Sequence, residues 1–174
     1  MKTELLNRRQ TALLLLAALA GAGVHAATDP GAHWLPWPRA TPALRLPDLL
    51  GQEWDLAQEQ GRTVLVNFWA TWCEACRAEM KSFEALEQQY QARRLKVVAV
   101  NFREGREPVQ RFRQAQALSL AMVRDSYGEA AHAWGVTRFP TTFVVNPAGH
   151  AVLSVEGEVD WASPATQKKL EGFL

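Results

Sequence analysis

Residues 64–76 have the sequence Val64-Leu65-Val66-Asn67-Phe68-Trp69-Ala70-Thr71-Trp72-Cys73-Glu74-Ala75-Cys76, and this stretch decides the fold. Its first six residues are almost continuously apolar, which is typical of a central β-strand buried on both faces. A helical pattern follows from residue 74 to residue 90. A buried strand that leads directly into a helix predicts a layered α/β domain, with the cysteines at the junction.

The chain contains two cysteines, Cys73 and Cys76. Cys73 is expected at the helix N-terminus, where free N–H groups and the helix dipole favour a thiolate. The thiolate is the attacking species in thiol–disulfide exchange. Cys76 lies one turn later, close enough to resolve a mixed disulfide. The position of the pair therefore predicts a redox-active site.

Three other interpretations of the pair compete with the redox interpretation: half of a zinc site, a structural disulfide and two unpaired core thiols. Half of a zinc site needs two more ligands, and only His33, His132 and His150 follow residue 26, none of them spaced as a second ligand pair. A structural disulfide would close a loop of only two residues, which constrains the unfolded chain least. Two unpaired thiols do not suit an oxidising compartment.

The rest of the chain extends the α/β pattern. Residues 44–56, with Gly51 at their centre, predict a hairpin. Pro108 is expected to open a helix, since proline is favoured at a first helical position. The order βαβ, helix, ββα predicts a mixed sheet flanked by helices. The other expected elements are strands at 97–102, 121–123, 141–145 and 151–155, a helix at 127–134, and a helix from Ser163-Pro164 toward Phe173.

Composition limits the class of protein. The 174 residues are 48% hydrophobic and 21% charged, which is the composition of a globular protein. The formal net charge is +1, whereas a nucleic-acid-binding protein would show a basic excess. Two cysteines are too few for a disulfide scaffold. A charge near zero predicts no nucleic-acid partner.

The N-terminal residues have the pattern of an export signal. Lys2, Arg8 and Arg9 precede an apolar run at residues 12–20, and Val24-His25-Ala26 resembles a cleavage site. We expect a signal peptide at 1–26, a Pro/Trp-rich arm at 27–42 and one domain at 43–174. An uncleaved membrane anchor and a twin-arginine signal are the alternatives. Without residues 1–26, which hold three basic residues and one acidic residue, the net charge becomes −1.

Two segments carry a family resemblance. Residues 64–80 resemble the active-site segment of thioredoxin-like proteins, most closely the exported TlpA/ResA/CcmG branch. Residues 135–143, which include Phe139-Pro140-Thr141, resemble the family's loop that holds a cis-proline beside the cysteines. The resemblance spans roughly residues 44–174. It implies an α/β, thioredoxin-like three-layer fold with a central mixed β-sheet flanked by helices and an N-terminal β-hairpin extension.

The resemblance also implies roles for individual residues. Cys73 matches the nucleophile, Cys76 the resolving thiol and Pro140 the cis-proline. Trp72 matches an exposed aromatic beside the nucleophile, and the backbone of Phe139 would pair with an incoming peptide strand. The residues expected to contact substrate are Trp72, Glu74, Phe139 and Thr141.

Charge around the cysteines predicts the direction of exchange. Glu74 and Glu79 place negative charge near the thiols, which raises the pKa of a thiol and opposes the thiolate. Glu79 falls inside the apolar stripe of the helix, so we expect it to be partly buried, and it matches an acidic active-site residue of the ResA-like branch. No histidine lies between the cysteines, unlike strong oxidants of the DsbA type. These features favour a reductant.

Two residues depart from the general thioredoxin pattern. Asn67 stands where cytosolic thioredoxins keep a buried aspartate that helps to move protons, which leaves Glu79 as the expected proton carrier. Lys81 stands where the family often has a helix-kinking proline, so the helix is expected to run straighter.

The sequence thus predicts an extracytoplasmic thiol:disulfide oxidoreductase that reduces exported, disulfide-bearing clients. The resemblance implies two client types, apocytochrome c and copper-site assembly proteins, and a membrane electron donor of the DsbD/CcdA kind. We expect a periplasmic monomer with no metal and no cofactor beyond the Cys73–Cys76 disulfide. A copper carrier, with His132 as a third ligand, is one alternative. A thiol peroxidase is the other, but Val66 and Ala70 occupy the positions where it needs proline and threonine.

Overall fold

The computed structural model describes residues 31–174. The expected signal peptide at 1–26 and the first residues of the expected arm lie outside this range. Within residues 31–174, no helix has the length and hydropathy needed to cross a bilayer.

The core of the fold is a six-stranded mixed sheet with strand order β1-β8-β7-β4-β5-β6. β4, β5 and β6 run parallel to one another, whereas β7 is antiparallel to β4 and β8 is antiparallel to β7. The strands of this sheet are β1 (His33–Pro36), β4 (Thr63–Trp69), β5 (Leu95–Phe102), β6 (Ala121–Asp125), β7 (Thr141–Val145) and β8 (Ala151–Glu156).

Among the described residues, four α-helices cover the two faces of the sheet. Every residue of β4 is buried, as the continuous apolar run predicts. Because side chains alternate along a strand, Leu65 and Trp69 face one apolar core while Val66 and Phe68 face the other. The first core includes residues from α1, α2 and α4, and the second includes residues from α3. The helices are α1 (Glu74–Gln89), α2 (Arg106–Ala115), α3 (Glu129–Ala133) and α4 (Pro164–Leu170), with 3-10 turns at Leu56–Glu59, Gln91–Arg93 and Glu171–Phe173.

The expected N-terminal hairpin is present. β2 (Arg45–Pro47) pairs antiparallel with β3 (Glu53–Asp55), and Gly51 in the connecting turn has a φ of 85°, a conformation that favours glycine. The expected arm contains β1, which pairs antiparallel with β8 at the edge of the main sheet. The fold is therefore the predicted three-layer, thioredoxin-like α/β architecture, with one additional edge strand from the arm.

The prediction that Pro108 opens a helix was wrong by two residues. α2 begins at Arg106, after Gly105 as N-cap, so Pro108 is its third residue. The first-turn N–H groups of a helix have no acceptor within the helix, so proline is tolerated anywhere in that turn. α3 is also shorter than the predicted 127–134, because Gly128 with a φ of 77° precedes its first turn.

Candidate active site

The two cysteines lie where β4 gives way to α1. Cys73 is the N-cap of α1 and its Sγ accepts a hydrogen bond from the backbone N–H of Cys76 at 3.2 Å. The two residues form a disulfide with their Cα atoms 5.3 Å apart. The sulfur of Cys73 is thus held at the helix N-terminus, where N–H donors and the helix dipole favour negative charge.

The two sulfur-bearing residues differ in exposure. Cys73 is half-buried, whereas Cys76 is fully buried in the first core. Trp72, directly before the pair, is 62% exposed and its ring meets that of Phe139 edge-on, with centroids 5.8 Å apart. Of the two cysteines, Cys73 is therefore the one accessible from solvent, beside an exposed aromatic surface.

The loop before β7 brings a second group of residues to this end of the sheet. The Phe139–Pro140 bond is cis, Pro140 is buried, and its carbonyl accepts from the N–H of Gly157 at 3.0 Å. Thr141 starts β7 and its hydroxyl donates to the carbonyl of Arg138 at 2.9 Å. β7 runs antiparallel to β4, so the start of β7 and the end of β4 meet at one edge of the sheet.

Glu79 is buried on the inner face of α1, at 1% exposure. Its Oε1 accepts from the backbone N–H of Val159 at 2.9 Å and from the indole N–H of Trp161 at 3.0 Å. The Trp161 ring stacks on Phe83 at 4.7 Å, one helical turn after Glu79. Burial favours the neutral form of this carboxyl, whereas the two donors favour its charged form.

The remaining sequence-selected residues lie around the pair. Glu74 is exposed in the first turn of α1. Asn67 is fully buried in β4 and donates to the hydroxyl of Thr142 at 3.0 Å. α1 runs from residue 74 to residue 89 without interruption at Lys81, which is exposed and pairs with Glu84 at 3.3 Å.

Sequence reasoning missed Glu104, which follows β5. Its Oε2 accepts from the backbone N–H of Thr71 and from the Asn101 amide, both at 2.7 Å, and its Oε1 accepts from the Thr71 hydroxyl at 2.5 Å. Arg77 donates to the Thr71 carbonyl at 3.1 Å. The backbone N–H, the hydroxyl and the carbonyl of Thr71, two residues before Cys73, are thus all hydrogen-bonded. The sequence did contain a signal for this residue. Glu104 follows the carboxyl end of a buried parallel strand, and this end lies at the same edge of the sheet as the cysteines.

No metal-binding cluster of three or more His, Cys, Asp or Glu residues occurs among residues 31–174. His132, the expected third ligand of a copper carrier, lies exposed on α3.

Comparison with known proteins agrees with this geometry. The model of the AhpC/TSA family matches residues 39–153. The chain belongs to the AhpC/TSA family. A similar protein, the thiol-disulfide oxidoreductase ResA of Bacillus subtilis, is 30% identical over 156 residues, which cover 90% of this chain and 87% of that protein. ResA of Halalkalibacterium halodurans is 36% identical over 129 residues, 74% of this chain and 70% of the relative.

Comparison of this AhpC/TSA-family chain with solved structures also finds thiol-disulfide exchange proteins. A Chlorobium tepidum protein assigned as thiol:disulfide interchange protein DsbE is 27% identical, with a TM-score of 0.67 over 76% of this chain and 91% of that one. The predicted resemblance to the thioredoxin-like TlpA/ResA/CcmG branch is confirmed, and with it the class of enzyme, a thiol-disulfide oxidoreductase.

Proposed function

We propose that this thiol-disulfide oxidoreductase works as a reductant of disulfides in exported client proteins. One observation carries the proposal: Cys73 is accessible at a helix N-terminus beside exposed Trp72, while its partner Cys76 is fully buried. This asymmetry suits a pair in which one sulfur attacks and the other resolves.

The reaction proceeds in two exchanges. In the reduced protein, the Cys73 thiolate attacks one sulfur of a client disulfide, so that a mixed disulfide forms and the other client sulfur leaves as a thiolate that takes up a proton. Cys76 then loses its proton and attacks Sγ of Cys73, which releases the second client thiol and closes the Cys73–Cys76 disulfide. Two electrons pass to the client, and no cofactor besides the cysteine pair takes part.

The charges near the pair support the reducing direction. A stabilised thiolate makes an oxidant, because it stabilises the reduced form of the pair. The helix N-terminus favours a thiolate at Cys73. Carboxylates oppose a neighbouring thiolate, and Glu74 and Glu79, one residue after Cys73 and three residues after Cys76, would counteract that effect. We assign Glu79 as the group that exchanges the Cys76 proton, since it lies buried on the same face of α1.

The loop before β7 supplies a place for the client chain. Neither the N–H nor the carbonyl of Phe139 is hydrogen-bonded to any other residue within 31–174. Free backbone groups beside the disulfide can pair with an extended client segment, as in β-strand addition. Trp72 and Thr141 border this position, and they complete the proposed client site together with Glu74.

The N-terminal pattern and the sequence resemblance support a proposal for the setting of the reaction. The export-signal pattern at 1–26 supports a periplasmic location, reached through the Sec pathway with cleavage after residue 26. There the oxidised pair needs a supply of electrons, and a membrane protein of the DsbD/CcdA kind would provide it to the monomer. The proposed clients are apocytochrome c or proteins that assemble a copper site.

Insulin reduction and a potential measurement test the proposal together. The mature protein should reduce insulin disulfides with dithiothreitol as electron source, and Cys73→Ser should abolish turnover. The pair should equilibrate at about −250 mV or below, near thioredoxin and far from DsbA. A potential near −120 mV, the approximate value for DsbA, would reverse the assigned direction. Tight Cu(I) binding without exchange activity would favour a copper carrier, and hydroperoxide turnover a peroxidase.

A further inference from the structure

A row of aromatic side chains leads away from the disulfide. Beyond Trp72 and Phe139, the ring of Phe139 packs on that of Phe102, with centroids 4.9 Å apart. Phe102 ends β5 and is half-buried. The row therefore crosses from the cysteine loop through the cis-proline loop to the carboxyl end of the next strand.

Arg103 lies at the far end of this row and is held by several contacts. Its guanidinium carbon lies 5.1 Å from the centroid of the Phe102 ring, and its Nε donates to the carbonyl of Tyr127 at 2.9 Å. Its backbone N–H donates to the carbonyl of Asp125 at 2.9 Å.

The backbone around Arg103 is also specialised. Arg103 has a φ of 54°, a left-handed conformation that L-residues seldom adopt and that persists where surrounding contacts enforce it. Gly128 makes room for it, since a Cβ there would stand 2.5 Å from Nε of Arg103 and 2.8 Å from the Phe102 ring. An exposed arginine with a fixed backbone and a packed stem is preorganised for a partner.

Residues 31–174 do not supply an ion-pair partner for Arg103. No carboxylate in this range lies within ion-pair distance of Arg103. The adjacent carboxylates have other donors: Glu104 accepts from Thr71 and Asn101, and Asp125 accepts from the N–H of Ala131 at 2.8 Å. The terminal guanidinium nitrogens of Arg103 thus retain donors in a geometry that suits a carboxylate.

We propose that Phe102 and Arg103 form a specificity site for the client. Arg103 would bind an acidic client residue a few positions from the attacked cysteine, and Phe102 would contact an apolar residue beside it. This inference rests on the proposed function and adds a sequence preference to it. Successive rings of the row are 4.9 to 5.8 Å apart, and the guanidinium of Arg103 lies 5.1 Å beyond the last ring. An extended chain advances about 3.3 Å per residue, so the acidic residue falls no more than about five positions from the cysteine.

Three disulfide peptides test the preference. They carry Phe-Glu, Phe-Gln or Phe-Lys four residues from the attacked cysteine and are otherwise identical. The rate constant for oxidation of the reduced mature protein is measured for each at low ionic strength. Each is divided by the rate constant with oxidised dithiothreitol, which corrects for changes in the cysteine pair itself. We expect the Phe-Glu peptide to react about threefold to fivefold faster than the Phe-Gln peptide, the size of effect that one exposed ion pair provides.

Charge variants identify the residue responsible. Arg103→Gln should remove the preference, and Arg103→Glu should reverse it toward the Phe-Lys peptide, with thermal melts verifying that both fold. Arg111→Gln is the matched control, because Arg111 is exposed on α2 and pairs with Glu107. Equal rates for the Glu and Gln peptides in the parent protein, or equal loss of preference in the Arg103 and Arg111 variants, would overturn the inference. Failure of the parent protein to reduce any peptide would instead count against the proposed function.

Discussion

Replacing Glu79 separates its role in the fold from the redox role proposed for it. Glu79→Ala leaves two buried donors, the N–H of Val159 and the indole N–H of Trp161, without their acceptor. Each unsatisfied buried donor costs about 1–3 kcal/mol, so we expect a loss of about 2–6 kcal/mol in the free energy of unfolding. In Glu79→Gln the amide oxygen can still accept both bonds, and the loss should be about 1–2 kcal/mol.

The glutamine variant then reports on the cysteines. Removing an acidic group from the vicinity of the pair should lower the pKa of the Cys73 thiol. Each unit by which that pKa falls below the assay pH stabilises the reduced form by about 1.4 kcal/mol, equivalent to about 30 mV in potential. Glu79→Gln should therefore shift the potential upward.

Two measurements on oxidised and reduced protein check this reasoning. Thiolate absorbance against pH gives the pKa of Cys73, and equilibration with dithiothreitol buffers gives the potential. Glu84→Gln serves as the control, since it removes a carboxylate from the same helix at a site that binds Ser119 instead. An unchanged potential in Glu79→Gln, with the fold intact, would remove Glu79 from the mechanism.

Three further predictions concern the surroundings of the site. Glu104→Ala should lower the free energy of unfolding by about 2–4 kcal/mol in denaturant titrations, because three hydrogen-bond donors lose the carboxylate that accepts from them. It should also slow peptide reduction more than Glu104→Gln does. Burial raises the pKa of Glu84, but the hydrogen bonds from the hydroxyl and N–H of Ser119, together with the ion pair to Lys81, outweigh burial, so the net pKa lies below its usual range. The charged form of Glu84 therefore stabilises the fold above about pH 4.5, and this contribution is lost as the pH falls through the folded pKa. In thermal melts at acid pH, the stability difference between the parent and Glu84→Gln should therefore shrink. Gly128→Ala should destabilise the protein by more than about 1 kcal/mol, because its Cβ would meet Arg103 and its φ is 77°; an unchanged melting temperature would contradict this.

Local sequence patterns were sufficient to predict most of the fold. β4 and α1 appear where the apolar run and the helical period place them, because burial on both faces and a 3.6-residue stripe leave direct marks in the sequence. β1 was not predicted as a strand of the main sheet. Its four residues are mostly exposed, and its pairing with β8 joins segments more than a hundred residues apart. Such edge pairing depends on backbone bonds that side-chain patterns do not record.

The same distinction applies to the site. The cysteine pair is one contiguous motif, so its chemistry could be predicted from spacing and from the helix that follows. The bonds between Glu79 and Trp161 and between Thr71 and Glu104 join residues separated by 82 and 33 positions. Sequence alone indicated that Glu79 lies on the apolar face, but it did not identify its donors. The long-range contacts that position the cysteine loop therefore became visible only in three dimensions.

The surroundings of the two cysteines suggest how two chemically identical thiols would act differently. The Cys76 N–H donates to Cys73, which caps the helix, so both the helix dipole and a specific donor favour a thiolate at Cys73. Cys76 has neither its exposure nor its cap position, and Glu79 lies three residues further along the same buried face. We expect Cys73 to titrate first and Cys76 to keep its proton until a mixed disulfide forms. In the proposed reaction, burial of Cys76 would restrict the resolving thiol to attack on the sulfur beside it.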